Sequence, residues 1–246
     1  MSFKLYAALF SMIIAVLLVS SCKSEQKDSV ELAPVEMDTV AVSIFDGTSF
    51  EGWKQYNSDS IGPKWTIEDG AIVASADGEI DNTGFGHSLI TVKEYGNFEL
   101  TLEYKIAKGG NSGIMYHAKE DTAYGEDYVT GPEFQLLDDE FSKTETLPIK
   151  MAASLYDMYI PAETKKLKPH TEWNSIKLVY NNGHVEHWLN GEKVLEYEEG
   201  TDDYKARKAV SKWKDSEIWG SFKEGHIGLQ DHGDAIRFRN IMIREL

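Results

Sequence analysis

The chain of 246 residues has a single cysteine, so it can form neither an internal disulfide nor a cysteine-based zinc centre. Basic residues are scarce: 25 Lys and Arg stand against 41 Asp and Glu, a net charge of −16. With no basic stripe to meet phosphates, the sequence argues against nucleic acid as a partner. Three catalytic signatures are missing as well. There is no G-x-x-x-x-G-K nucleotide loop, no G-x-S-x-G elbow and no H-E-x-x-H pair. No repeat of fixed period is present, and helix signals are few. Disorder is excluded by the 41% hydrophobic and 11% aromatic content, which is enough for a substantial core.

The long apolar run lies at the start of the chain. Leu5 to Val19 is broken only by Ser11, follows Lys4, and ends at the small pair Ser20-Ser21 before Cys22. This is the pattern of a secretory signal over residues 1–21. Val19-Ser20-Ser21-Cys22 resembles the lipobox of bacterial lipoproteins, in which the cysteine is acylated and becomes the first mature residue. The alternatives are an ordinary signal cleaved near Ser21 or a transmembrane anchor, although the run is short for a span of about 20 residues. On the lipoprotein reading, residues 22–42 are an acylated Cys22 and a polar, acidic tether. Residues 43–246 are then the folded domain, held to a membrane by its lipid.

From Ser43 onward, short runs alternate apolar and polar residues between Gly, Asn and Asp clusters. Lys64 to Ile67 and Ala71 to Ala74 flank a hairpin turn at Glu68-Asp69-Gly70. Asn97 to Ile106 places Leu100, Leu102, Tyr104 and Ile106 on one face and Glu99, Thr101, Glu103 and Lys105 on the other. Asn181-Asn182-Gly183 and Asn190-Gly191 separate three strands of an expected meander. One helix is expected, from Asp202 to Lys214, capped by Thr201, with its lysines on a solvated face. Many short strands at regular intervals predict an all-β, two-sheet antiparallel β-sandwich or jelly roll with one short helix.

Two segments carry candidate chemistry. In Gly131 to Asp138, alternation puts Glu133 and Gln135 side by side, a carboxylate and an amide suited to sugar hydroxyls. In Gly225 to Gly233, His226, Gly228, Gln230 and His232 share a face opposite Ile227, Leu229 and Asp231. An imidazole there could be a base or a metal ligand. His187 shares its face with Val185 and Leu189, which favours a satisfied core histidine. Trp188 faces the other way, where an exposed indole could stack on a sugar ring. Each of these residues also has a purely structural reading.

Taken in order, Phe45-Asp46-Gly47, Gly52-Trp53, Trp65 to Gly70, Tyr95 to Leu100, Gly109 to Ile114, Gly131 to Gln135, Glu172-Trp173-Asn174, Trp188 to Gly191 and Gly225 to Gly233 resemble the 3-keto-disaccharide hydrolase domain family. The resemblance runs from about residue 43 to the C-terminus. It implies a concanavalin A-like jelly roll with a carbohydrate-facing side. It also implies cleavage of glycosides whose C3 hydroxyl has been oxidised to a ketone. Such a ketone acidifies the C2 proton, and loss of that proton expels the C1 aglycone, with or without later addition of water.

Carried onto this chain, the family's matched polar positions are Glu133, Gln135, Asn111, Ser112, Gln230, Asp231 and His232. Glu133 and His232 are the expected catalytic pair, as base or acid, or as joint holders of a divalent cation. Glu103, Lys105, Tyr156, Asp157 and Trp188 are expected to complete a substrate pocket, with residues 144–169 closing over it. The cofactor is open, a divalent cation being one option, and so is the oligomeric state. The expected location is the cell envelope of a Gram-negative bacterium, anchored by lipid in the outer membrane. A non-catalytic carbohydrate-binding module and a ligand-free structural lipoprotein are the competing readings.

Overall fold

The computed structural model describes residues 40–76, 87–142 and 147–246. The signal segment, Cys22 and most of the expected tether lie outside the described residues. Thirteen strands follow in chain order: β1 (Val42–Ser43), β2 (Trp53–Gln55), β3 (Trp65–Glu68), β4 (Ala71–Ala74), β5 (Leu89–Thr91), β6 (Phe98–Ile106), β7 (Asn111–Ala118), β8 (Glu133–Leu137), β9 (Asn174–Asn181), β10 (His184–Leu189), β11 (Glu192–Glu198), β12 (His226–Leu229) and β13 (Ile236–Glu245). They form an eight-stranded sheet, ordered β11-β10-β9-β6-β13-β4-β3 with β1 beside β13, and a five-stranded sheet, ordered β2-β5-β12-β7-β8. All the pairings are antiparallel. The chain is therefore an all-β jelly roll, as its alternation predicts.

The core is the layer between the two sheets. β6 alternates buried and half-buried along its whole length, with Phe98, Leu100, Leu102, Tyr104 and Ile106 inward. The smaller sheet answers with Ile114, Tyr116, Phe134, Leu136, Ile227 and Leu229, all essentially without exposure. The Asn-Gly steps behave as their chemistry dictates. Asn182, Gly183, Asn190 and Gly191 all have positive φ, which tight hairpins need and which these residues tolerate.

Two expectations change. The helix α1 spans Asp202–Lys208 rather than reaching Lys214. Thr201 caps it as expected, accepting from the Tyr204 amide at 3.2 Å. Beyond Ala209 the chain turns inward, because Ser211 and Trp213 are buried and Trp213 stacks on Trp219 at 4.8 Å. Strand alternation would set His117 on the face opposite Tyr116; it instead adopts a positive φ and turns its ring into the core, 4.2 Å from Tyr180. A bulge against β12 breaks the alternation there.

His187 is the core histidine that its position implies. It is fully buried on β10 of the larger sheet and stacks at 4.3 Å on Phe134 of the smaller one, so it joins the two layers. Its Nδ1 contacts the Ala153 carbonyl at 3.1 Å. Burial depresses its pKa to about 4. A depressed folded-state pKa means that the unfolded chain takes up the proton first as pH falls. The stability that neutral His187 provides should be complete above pH 6.5 and be lost as pH falls towards 4, by roughly 3 kcal/mol. Calorimetry of His187→Phe across that window should show a shallower loss of melting temperature than the parent.

Candidate active site

The chemistry gathers on the outer face of the smaller sheet. Alternation sends Phe134 and Leu136 inward, so Glu133 and Gln135 project the other way. Opposite them on β7 and β12 stand Gly113 and Gly228. Gly113 pairs with Gln135, and Gly228 with Met115. A Cβ on Gly113 would lie 2.5 Å from Glu133 Oε1, and one on Gly228 would lie 2.5 Å from Asp127 Oδ2. The two glycines thus clear the sheet surface for two carboxyl groups.

Loops roof this surface. Glu126 to Gly131 folds back through a 3-10 turn at Asp127–Val129, closed by the Gly131 amide donating to the Asp127 carbonyl at 2.9 Å. Residues 151–157 run along the free edge of β8, with Ala153 and Tyr156 amides donating to the carbonyls of Gln135 and Glu133. Of the segment expected to close over the cleft, residues 144–169, Tyr156 lines the cavity, while the amides of Ala162 and Lys168 donate to Val194 and Asn174 of the larger sheet; residues 144–146 lie outside the described residues. The third roof element follows α1. The Lys212 amide donates to Asp157 Oδ2 at 2.7 Å, and the Lys212 ammonium sits 4.1 Å from the centre of the Tyr156 ring.

The resulting cavity of about 200 Å³ is lined by Ser88, Asn111, Glu126, Asp127, Tyr128, Glu133, Tyr156, Lys212, Gln230, Asp231 and His232. It is smaller than the roughly 300–1,000 Å³ of pockets for drug-sized ligands, a size suited to one sugar ring. Glu133 and Asp127 are 5% and 1% exposed. Among the described residues no side chain or amide hydrogen-bonds the Glu133 carboxyl. Asp127 Oδ1 accepts from the Tyr128 amide at 2.9 Å, while Oδ2 is buried with no hydrogen-bond partner. Burial raises both groups, Glu133 to about 8 and Asp127 to about 7; Lys212 opposes the rise at Glu133.

A polar chain runs along one side. Gln135 Nε2 donates to the Lys150 carbonyl and to Asn111 Oδ1, each at 3.2 Å. Asn111 Nδ2 lies 3.2 Å from His232 Nε2. With the amide donating, that nitrogen is an acceptor and the ring is neutral, in line with the lowering of its pKa by burial. Asp231 is held by Lys64 at 2.7 Å and its Oδ2 is unpartnered, as are Oε1 of Gln135 and Oε1 of Gln230. Buried acceptors of this kind need donors, and hydroxyl groups of a sugar supply them.

The structure therefore brings together Glu133, Gln135, Asn111, Gln230, Asp231, His232 and Tyr156. Ser112 stands behind them, its Oγ donating to the Gln230 carbonyl at 2.8 Å, and Asp157 holds the Lys212 backbone. Glu103, Lys105 and Trp188 are not part of this assembly. They project from the outer face of the larger sheet, on the far side of the core. There Glu103 accepts from Arg239 Nε at 2.8 Å, Lys105 lies 5.3 Å from the Trp173 ring, and Lys177 covers the Trp188 ring at 3.9 Å. Strand parity had placed them facing outward, which is right, but the two sheets have different outer faces.

Asp127, Glu126, Tyr128, Ser88 and Lys212 line the cavity and were not singled out from the sequence. All five come from connections between strands, where no periodicity marks direction. A metal centre finds little support in this geometry. Among the described residues, the group of three or more His, Asp or Glu with ligand atoms within 4.8 Å of one another is His184, Glu186 and Glu196, at the surface of the β10–β11 hairpin. The cavity residues do not converge in that way.

A carboxyl whose pKa is raised on folding favours the fold while protonated, and its ionisation costs stability as pH climbs from about 4.5 to about 8. Glu133→Gln cannot ionise. It should melt above the parent at pH 8 and lose that margin by pH 4.5. Thermal melts at the two pH values test the sign.

A 3-keto-disaccharide hydrolase of Bacteroides thetaiotaomicron is 41% identical over 256 aligned residues, covering 95% of this chain and 87% of its own. The crystal structure of a candidate glycosyl hydrolase from Parabacteroides distasonis is 37% identical, with a TM-score of 0.75 over 84% of this chain and 94% of that one. A Bacillus subtilis protein with a galectin-like fold, 11% identical with a TM-score of 0.52 over 84% and 94% of the two chains, shares the fold alone. The model of the 3-keto-alpha-glucoside-1,2-lyase-like domain matches residues 40–244, and the chain belongs to that family.

Proposed function

We propose that the protein is an enzyme that cleaves glycosidic bonds of 3-keto-glycosides and 3-keto-disaccharides. The observation that carries this reading is the buried pair of Asp127 and Glu133 in one sugar-sized cavity. Family membership and the Bacteroides relative support it. With Glu133 raised to about 8 and Asp127 to about 7, one carboxyl is protonated and the other ionised between those two values. The ionised member takes the C2 proton that the neighbouring ketone acidifies. The protonated member gives its proton to the departing C1 oxygen. The product is a C1=C2 enone, and the pair has exchanged protonation states.

Water addition runs the same groups in reverse. The newly ionised carboxyl takes a proton from water as it attacks C1, and its partner returns a proton to C2. The net result is hydrolysis, with both carboxyls back where they began. His232, neutral and engaged with Asn111, binds and orients the sugar together with Gln135, Gln230 and Asp231. The unsatisfied oxygens of those last three accept from its hydroxyls.

Purified protein should release aglycone from a 3-keto-glucoside and leave the parent glucoside intact. Asp127→Asn and Glu133→Gln should each lower kcat by about 10²–10⁴. Because only the singly protonated pair is competent, kcat/KM should fall below about pH 7, where a second proton is taken up, and above about pH 8, where the last is lost. Glu126, Asp231, Lys212 and His232 face the same cavity and modulate those limits. A wild-type protein inert on 3-keto substrates that still binds glycans would replace this reading with a binding module.

We further propose that Cys22 is acylated and that the domain is held by lipid in the envelope of a Gram-negative bacterium, in its outer membrane. The support is Val19-Ser20-Ser21-Cys22 at the end of an apolar run. Metabolic labelling with a fatty-acid analogue should mark the wild type and not Cys22→Ala; equal label in both would refute the anchor.

A further inference from the structure

Removing the C2 proton of a 3-keto sugar moves negative charge onto the C3 oxygen. The cavity lining is otherwise hostile to that charge, since Glu126, Asp127, Glu133 and Asp231 all line it. Among the described residues, Lys212 is the one cationic side chain in the lining. Its placement is fixed by the fold. The flanking Ser211 and Trp213 are 6% and 8% exposed, Trp213 stacks on the fully buried Trp219, and Asp157 grips the Lys212 amide at 2.7 Å. Asp157 itself adopts a positive φ of 60° to do so.

The residue is exposed as a whole, and its ammonium lies against aromatic rings. Nζ lies 4.1 Å from the Tyr156 ring centre, 4.2 Å from Trp213 and 5.9 Å from Tyr128. Among the described residues it forms no ion pair within 4.0 Å, although acids surround it. Burial lowers its pKa, and the charges of Glu133 and Asp157 oppose that shift. An ammonium held by ring faces and left without a carboxylate partner keeps its N–H donors available to a ligand.

We propose that Lys212 is a catalytic residue that donates to the C3 ketone oxygen and stabilises the enolate formed when C2 loses its proton. This rests on the 3-keto-glycoside reading above and gives the site its preference for a ketone. A C3 hydroxyl could accept the same hydrogen bond in the ground state. Only the ketone develops a full negative charge there, so the interaction strengthens in the transition state. The effect of losing it belongs in kcat more than in KM.

The test follows exchange of the C2 proton of 3-keto-glucose in D2O by NMR, which needs no leaving group, alongside aglycone release. Lys212→Met keeps the length and apolar stem and removes the charge. It should slow both exchange and cleavage by about 10²–10³ while KM changes far less, and Lys212→Arg should retain more of the rate than Met. Near-UV dichroism from the Trp213–Trp219 stack verifies the fold, and Lys212→Gln replaces the Met variant if that signal is lost. Exchange by the uncharged variant within a few-fold of wild type, or a loss confined to KM, overturns the assignment of Lys212 while leaving the functional reading standing. A wild type that neither exchanges nor cleaves 3-keto sugars overturns the functional reading itself, and this assignment with it.

Discussion

Two carboxyl groups lie out of water on a sheet surface, with no cation hydrogen-bonded to either. That arrangement is unfavourable in itself, because a buried acid with few or no donors loses its hydration and gains little in return. The sandwich makes it tolerable by rigidity. Glu133 is fixed by β8, whose other face is locked into the core by Phe134 and Leu136. Gly113 and Gly228 leave the floor bare, so that the carboxyls meet backbone instead of side chains. The 3-10 turn at Asp127 then brings the second acid down onto that floor. Relaxation towards solvent would require moving a strand or unpacking a roof loop.

The same rigidity explains what was readable from the residues alone. Strand alternation is a local property, so the inward set of β6 and the outward Glu133 and Gln135 were both legible. The Asn-Gly turns were legible because few residues tolerate positive φ. Parity, however, says only that a side chain leaves the core. It does not say which of two outer faces the side chain enters, and Glu103, Lys105 and Trp188 were drawn into the wrong company for that reason. His117 escaped for a related one: a single bulge inverts the direction of a side chain, and nothing in Tyr116-His117-Ala118 announces it. Asp127 and Lys212 sit on connections whose course is set by tertiary contacts, among them the Trp213–Trp219 stack and the Asp157 grip on the backbone. Their local sequence reads as an ordinary acid in a loop and an ordinary lysine after a helix.

The chemistry suits this geometry better than it would suit an ordinary glycosidase. Cleavage through an oxocarbenium-like state sets two carboxyls on either side of the scissile bond, with one always placed to attack or to activate water at C1. Elimination through C2 asks for something else: one group that takes a proton from carbon, another that gives one to oxygen, and protection of the carbanion from solvent. A pair of acids lying on one sheet surface beneath a closed roof meets those needs. On the proposed route each carboxyl alternates between acid and base, so a cycle of elimination and hydration leaves the pair as it began and needs no further group to reset it.

Charge balance links the cavity to the composition of the whole chain. A protein carrying −16 overall offers an enolate an unfavourable field, and the carboxyls nearest the reaction make that field worse. A neutral sugar enters such a cavity without penalty, whereas the anion formed within it would be repelled from almost every direction. The acids that make proton transfer possible therefore create the requirement for a cation at the C3 oxygen. Since a carboxylate bonded to that cation would cancel it, the cation has to be held by something other than an ion pair. In the proposed assignment, ring faces of Tyr128, Tyr156 and Trp213 do this for Lys212: they restrain the ammonium and leave its hydrogen-bond donors to a substrate.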